Sequence, residues 1–324
     1  IYHLKDAYYF EVPKGLWHRD WKTIDEVPAA FRAWNPEVTD VAAFNDALSG
    51  KIVIPQPFGE LESLFSVKSG FGISKYMILE VAVALIMILV FTRLAAKLRA
   101  GEPAKGRVAN LLETMVLFVR DNVARPAIDS HDDHDHADDH GHAAATTHDG
   151  DRFVPLLLTL FFFVMGCNLF GMVPWAGSPT ASFSVTLTLA AITFLTVVVA
   201  GMKKFGVLGF FGNQVPSMDL PLPLAIVLKP MIFLIEMAGL LIKHGVLAVR
   251  LLANMVAGHL VLLGIMGLIA GAAASSTGMW ATVTGISVIS CTLFSLLELF
   301  VAFLQAYIFT FLSALFIGAA VHQH

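Results

Sequence analysis

Arg250 stands near the middle of a long apolar run, LIKHGVLAVRLLANMVAGHLVLLGIMG. A guanidinium stays protonated at any physiological pH. Placed at the centre of a bilayer it costs about 2.5–3.5 kcal/mol on insertion scales. Such a charge persists where it faces protein or water and has a partner, so it marks a functional site. Glu236, Lys243 and Arg250 recur every seven residues, which keeps them on nearly one stripe of a helix. Asn254 lies one turn beyond Arg250, and His259 lies about half a turn round from it. Glu298 and Gln305, again seven apart, share a face of a second helix.

These residue types divide the chemistry between them. His259, Glu298 and Glu236 can exchange protons, given that burial and neighbours tune such groups. Arg250 cannot, so it acts as a fixed positive charge that attracts a carboxylate and blocks a free proton leak. Plainer roles stand beside these. Arg250 could form a structural ion pair with Glu236 or Glu298. Asn254 and Gln305 could serve as interhelical hydrogen-bond glue, and His259 could be a satisfied interior histidine. Lys229 and Lys243 read as snorkelling charges, and Glu80 as an interfacial acid.

The elements that must position these groups are membrane helices. Hydrophobic residues make up 56 % of the chain and the mean hydropathy is +0.72, above the globular share of about 45–50 %. Only eight charged residues occur in the 172 positions after Arg152, so charge is being excluded there. Net charge, −4, excludes little, because the charges cluster in two segments. Cys167 and Cys291 both sit in apolar runs and build no disulfide framework. Since the chain opens on Ile1, a trimmed or processed amino terminus is expected.

Residues 1–74, polar and aromatic, read as an extramembrane segment. A first span over 75–98 has Arg93, Lys97, Arg99, Lys105 and Arg107 within its end or just after it. That end is therefore cytoplasmic or matrix-facing, and residues 1–74 lie on the opposite side. Residues 107–126 show the apolar spacing of an amphipathic interfacial helix, so that 75–127 form one block. Residues 128–152 are a His/Asp-rich linker that cannot build a core. Metal binding is its sharper reading and a solvated disordered loop its plainer one. Two further spans, 153–175 and 181–202, meet at a Pro174–Pro179 turn, and a Gly/Pro-rich connector covers 206–223.

From residue 231 onward there is no proline. The runs 231–273 and 279–321 would each make about 64 Å of helix, against a hydrocarbon core of about 30 Å. Strongly tilted single helices are expected rather than extra spans. The fold class is an all-α polytopic membrane protein: about five transmembrane helices plus one interfacial amphipathic helix, with the last two long and strongly tilted as a hairpin. Residues 153–324 form the helical domain that carries the polar constellation.

LAVRLLANMVAGH (247–259), followed about 40 residues later by LELFVAFLQAYIFTFL (297–312), resembles subunit a of F-type ATP synthases. NLFGMVPW (168–175) resembles that family's turn motif after its third hydrophobic helix. The resemblance covers roughly residues 75–324; the first 74 residues and the His/Asp insert depart from the family's compact pattern. It implies a stator subunit facing a c-ring that carries one buried carboxylate per subunit, with two aqueous half-channels opening on opposite sides. Arg250 matches the arginine that separates the half-channels, with Asn254 and Gln305 as its polar neighbours. His259 and Glu298 match the pair lining the outer half-channel, histidine first as is typical of mitochondrial forms. Glu236 matches an acid of the inner one.

The resemblance also implies subunit b of the peripheral stalk and the other ATP synthase subunits as partners, together with protons and the lipid bilayer. No cofactor, metal or nucleic acid is expected. A phosphate-cradling G-x-x-x-x-G-K-[ST] loop is absent, so nucleotide chemistry falls to other subunits and this chain transfers protons only. The expected location is an energy-coupling inner membrane; the long amino-terminal segment favours a bacterial cell inner membrane over the mitochondrial one. A competing reading is a His-loop metal-ion transporter, prompted by residues 131–148.

Overall fold

The computed structural model describes residues 6–28, 31–32, 40–99, 106–129, 149–173, 176–213, 222–274 and 276–321. Five helices are long and apolar enough to cross a membrane: Lys75–Ala96, Val154–Gly171, Phe183–Val207, Leu228–Ala272 and Thr277–Val321. The chain is thus an all-α polytopic membrane protein, with small strands confined to its amino-terminal segment. The helices are α1 (Val41–Leu48), α2 (Lys75–Arg99), α3 (Arg107–Val119), α4 (Arg125–Ile128), α5 (Val154–Gly171), α6 (Phe183–Asn213), α7 (Leu222–Ala272) and α8 (Thr277–Val321).

Two compact units are present. The first contains residues 1–85, 166–182 and 255–295. In it β1 (Tyr9–Glu11) pairs antiparallel with β2 (Lys51–Val53), placing Tyr9 opposite Val53. A hairpin joins β3 (Gly59–Ser63) to β4 (Ser66–Gly70). The amphipathic helix α1 turns Phe44 and Leu48 onto Val27, a small core with Trp21 and Phe31 packed against it. The first half of α2 meets α5 where a side chain is missing: a Cβ on Gly166 would lie 2.7 Å from Val83 Cγ1. Beyond α5 the chain turns at Gly177, whose φ of +81° suits glycine.

The second unit contains residues 86–165, 183–254 and 296–324. Its core joins Leu157, Phe161 and Val164 of α5, Val197 of α6, Leu247 and Leu251 of α7, and Phe309 and Ile317 of α8. Helix α3 turns Leu112, Met115 and Val116 toward this core while Val108 and Leu111 stay exposed. That two-sided apolar pattern suits a helix lying in the bilayer interface.

Three boundaries differ from the sequence expectation. The amphipathic segment is helical past 126, to Ile128, with a π turn inside it at Arg120–Ala124. The connector expected at 206–223 is helical as far as Asn213. It is bent at Gly206, where φ is +74° and ψ is +168°, so that Phe210 packs back on Gly201, a position with no room for a Cβ. The first long helix starts at Leu222, not 231, and carries Pro230 inside it. Proline removes one backbone donor, a loss that membrane helices absorb through neighbouring groups. The other reading on 128–152, metal binding by the linker, falls on residues 130–148, outside the described residues.

Candidate functional site

Burial divides α7 into two faces. His244, Leu247, Ala248, Leu251 and Met255 are buried, a 3–4 residue spacing that turns one stripe inward. Glu236, Lys243 and Arg250 occupy a stripe about a quarter turn round from it: Lys243 and Arg250 are exposed and Glu236 half-exposed. Leu241, Ile242, Val246 and Val249, all at least half exposed, surround them. Glu236 and Lys243 approach to 3.9 Å, the outer edge of an ion pair, where little net stabilisation is gained. Among the described residues Arg250 makes no ion pair or hydrogen bond. The in-chain salt bridge considered from sequence is therefore not formed.

Helix α8 carries its polar residues on the inward stripe. Glu298 is 8 % exposed and Gln305 4 %, with Ala302, Ala306 and Phe309 fully buried between and beyond them. The sevenfold spacing thus keeps both on one face, as expected. Gln305 Nε2 is buried and has no hydrogen-bond partner among the described residues. Leu251 of α7 and Ala306 of α8 belong to one core. Asn254 is half-buried on the next turn of α7. His259, also half-buried, lies nine residues beyond Arg250, about 13 Å along the axis.

Two polar features escaped sequence reasoning. His244 is 3 % exposed, its Nδ1 2.8 Å from the Leu240 carbonyl. Its ring lies 5.3 Å from that of Phe194 and 4.8 Å from that of Phe316. The available signal was its place on the Leu247–Leu251 stripe. Asn168, Ser178 and Thr180 form a buried network at the carboxyl end of α5 and across the following turn. Their polarity within NLFG and SPT is visible in the sequence, but not their pairing.

The family model described as ATP synthase A chain matches residues 76–318, three-quarters of the chain. The chain belongs to the ATP synthase subunit a family. An ATP synthase subunit a from Anaeromyxobacter sp. (strain Fw109-5) is 33 % identical over all of this chain and 70 % of its own length. One from Chloroherpeton thalassium is 37 % identical over 89 % of this chain and 78 % of its own length. One from Chlorobaculum tepidum is 35 % identical over 82 % of this chain and 68 % of its own. Subunit a is the membrane-embedded, F0-sector component of the F-type ATP synthase, so ATP synthesis and proton transport are its business. The family result gives no support to the metal-ion transporter reading. Among the described residues no three His, Cys, Asp or Glu side chains converge as metal ligands would.

Proposed function

We propose that this subunit a is the proton-conducting stator against which a c-ring turns, with Arg250 as the fixed charge at the contact. The observation that carries the reading is the exposed position of Arg250, without an ion pair or hydrogen bond among the described residues, beside exposed apolar side chains of α7. A guanidinium on such a face is tolerable where its partner, a ring carboxylate, comes from another subunit and water reaches both sides. The tilted α7–α8 pair offers the long face; each helix is about 68 Å along its apolar 45 residues, more than twice the hydrocarbon thickness.

Glu298 and His259 form the relay of the outer half-channel, and Glu236 is the acid of the inner one. Protonation by way of His259 and Glu298 neutralises a ring carboxylate, which then crosses lipid at small electrostatic cost. On reaching the Glu236 side it loses the proton, because Arg250 stabilises its ionised form. Asn254 and Gln305 are the polar neighbours of the guanidinium. Burial of Glu298 and Gln305 on one face supports their acting together. Each proton crossing 100 mV releases about 2.3 kcal/mol.

In this reading the membrane is an energy-coupling one, a bacterial cell inner membrane, and subunit b of the peripheral stalk holds the chain still. Residues 1–74 lie on the outer side, 75–127 supply the first span and interfacial helix, 128–152 form a linker, and 153–324 form the channel domain. The test is Arg250→Ala in inverted membrane vesicles. ATP-driven proton pumping is abolished while the complex still assembles and hydrolyses ATP. Pumping at the wild-type rate overturns the proposal.

A further inference from the structure

A cavity of about 370 Å³ opens in the second unit, away from Arg250 and its neighbours on α7 and α8. Three elements enclose it: the turn Asp149–Arg152 that leads into α5, the end of the spanning part of α6, and the last residue described on α8. Among the described residues that line it, Arg152, Lys203 and Lys204 carry the charge. Asp151, the acid next to Arg152 in sequence, is already engaged by Arg125, whose Nε and Nη2 each donate to one carboxylate oxygen at 2.9 Å.

The remaining lining is chiefly apolar. Phe153, Val199, Ala200 and Val321 form it, with Thr196. Thr196, Val199, Ala200 and Lys203 are spaced i, i+3, i+4 and i+7, so one stripe of α6 faces the cavity from an apolar wall to a charged rim. The cavity therefore offers three cationic groups beside a greasy wall. Its volume is roughly ten times the ~30 Å³ share of one water, enough for a headgroup with the first part of an acyl chain.

The level in the membrane agrees. The apolar part of α5 begins at Val154 and that of α6 ends at Val207, so the rim lies at a membrane boundary. It is the boundary on which Lys203 and Lys204 collect, the cytoplasmic or matrix side. Basic pockets between spanning helices on that side suit anionic lipid headgroups. A soluble phosphate would use the charges and leave the apolar wall unpaid by contact.

We propose that this cavity is a binding site for an anionic phospholipid of the inner leaflet. Its phosphate lies between Arg152, Lys203 and Lys204, and its acyl chain runs over Phe153, Val199 and Val321. The bound lipid ties the start of α5 to the ends of α6 and α8.

The experiment uses the purified, intact ATP synthase complex and phosphatidylglycerol carrying a photoreactive group high on one acyl chain. Crosslinked peptides are mapped by mass spectrometry. The wild type is labelled on the peptides holding Phe153, Val199 or Val321, and unlabelled phosphatidylglycerol competes where phosphatidylcholine does not. The triple variant R152Q/K203Q/K204Q loses labelling by about tenfold or more, since each rim charge favours the anionic lipid. Ala200→Trp, which keeps the charges and fills the cavity, loses it as well, and serves alone where the triple variant does not assemble. Undiminished labelling in either variant, or equal competition by phosphatidylcholine, overturns the proposal. Displacement by millimolar inorganic phosphate without any lipid also overturns it, in favour of a soluble phosphate site.

Discussion

Asn168 Oδ1 accepts a hydrogen bond from Thr180 Oγ1 at 2.8 Å, and both residues are fully buried at the carboxyl end of α5 and the turn that follows. Thr180 Oγ1 also lies 2.8 Å from Ser178 Oγ. In an apolar surrounding each polar atom of such a chain depends on the others, since an unmade bond costs about 1–3 kcal/mol. Asn168→Leu is expected to destabilise the detergent-solubilised chain by about that much, read as a lower thermal unfolding midpoint. In the double variant with Thr180→Val the loss is smaller than the sum of the two single losses, because one interaction is removed once. Strict additivity would show that the two side chains act independently.

Close helix packing is the second point at which a single atom decides. A Cβ on Gly318 of α8 would collide with the carbonyl oxygen of Ala127 in α4, and backbone cannot swing aside as a flexible side chain does. Small residues at membrane helix contacts permit this kind of approach. Gly318→Ala is expected to destabilise by about 1–3 kcal/mol, the usual range for overpacking. Gly278→Ala on the same helix meets nothing within 4 Å and is expected to be neutral or slightly stabilising. Equal unfolding midpoints for the two variants would remove the packing argument.

Much of this was legible from residue spacing. The seven-residue interval of Glu236, Lys243 and Arg250 predicts a common stripe, and the exposed face of α7 carries it. The interval between Glu298 and Gln305 predicts a shared face, which is the buried one on α8. Burial itself was not legible, because both helices are apolar all round and periodicity cannot separate a lipid-facing stripe from a protein-facing one. His244 was missed for that reason: its spacing does not separate an inward from an outward face, yet it packs between Phe194 and Phe316. Pro230 misled in the other direction. It argued for a helix start, whereas the spanning helix continues through it. The π turn at Arg120–Ala124 depends on where α3 and α4 must each place a face, which is tertiary information.

Tyr9 gives a pH-dependent prediction in the amino-terminal segment, outside the spans. Its phenol is pushed above the ordinary value of 10.0 by burial first and by the Glu11 carboxylate second. Lys51 Nζ lies 5.2 Å from the ring centre, and Phe65 packs edge-on at 5.7 Å. A raised folded-state value means that the folded form holds the proton more tightly than the unfolded one. The resulting stability is fully present below pH about 10 and falls as pH rises toward the folded value. Tyr9→Phe is expected to flatten that alkaline loss. The check is the unfolding midpoint at stepped pH above 9, with the phenolate absorbance difference between the two proteins; a Tyr9 transition at or below the ordinary value contradicts it.

The last prediction concerns the His/Asp-rich linker. Arg125 holds Asp151 through two donors at 2.9 Å each, and Asp129 Oδ1 accepts from the Gly150 amide at 2.8 Å. These contacts bring residues 129 and 150 side by side, so the 130–148 segment is not needed to span any distance between α4 and α5. Replacing residues 131–147 by about four Gly/Ser residues halves the loop roughly twice. At about 0.6 kcal/mol per halving, closure becomes easier by about 1 kcal/mol. ATP-driven proton pumping by vesicles carrying the shortened subunit is expected to stay within about twofold of wild type, because the Arg125–Asp151 clip survives. An assembled complex that no longer pumps would assign the linker a part in proton transfer. Asp151→Asn combined with the same deletion separates the two cases. It weakens the clip without touching the spans, so assembly falls while the pumping rate per assembled complex is kept.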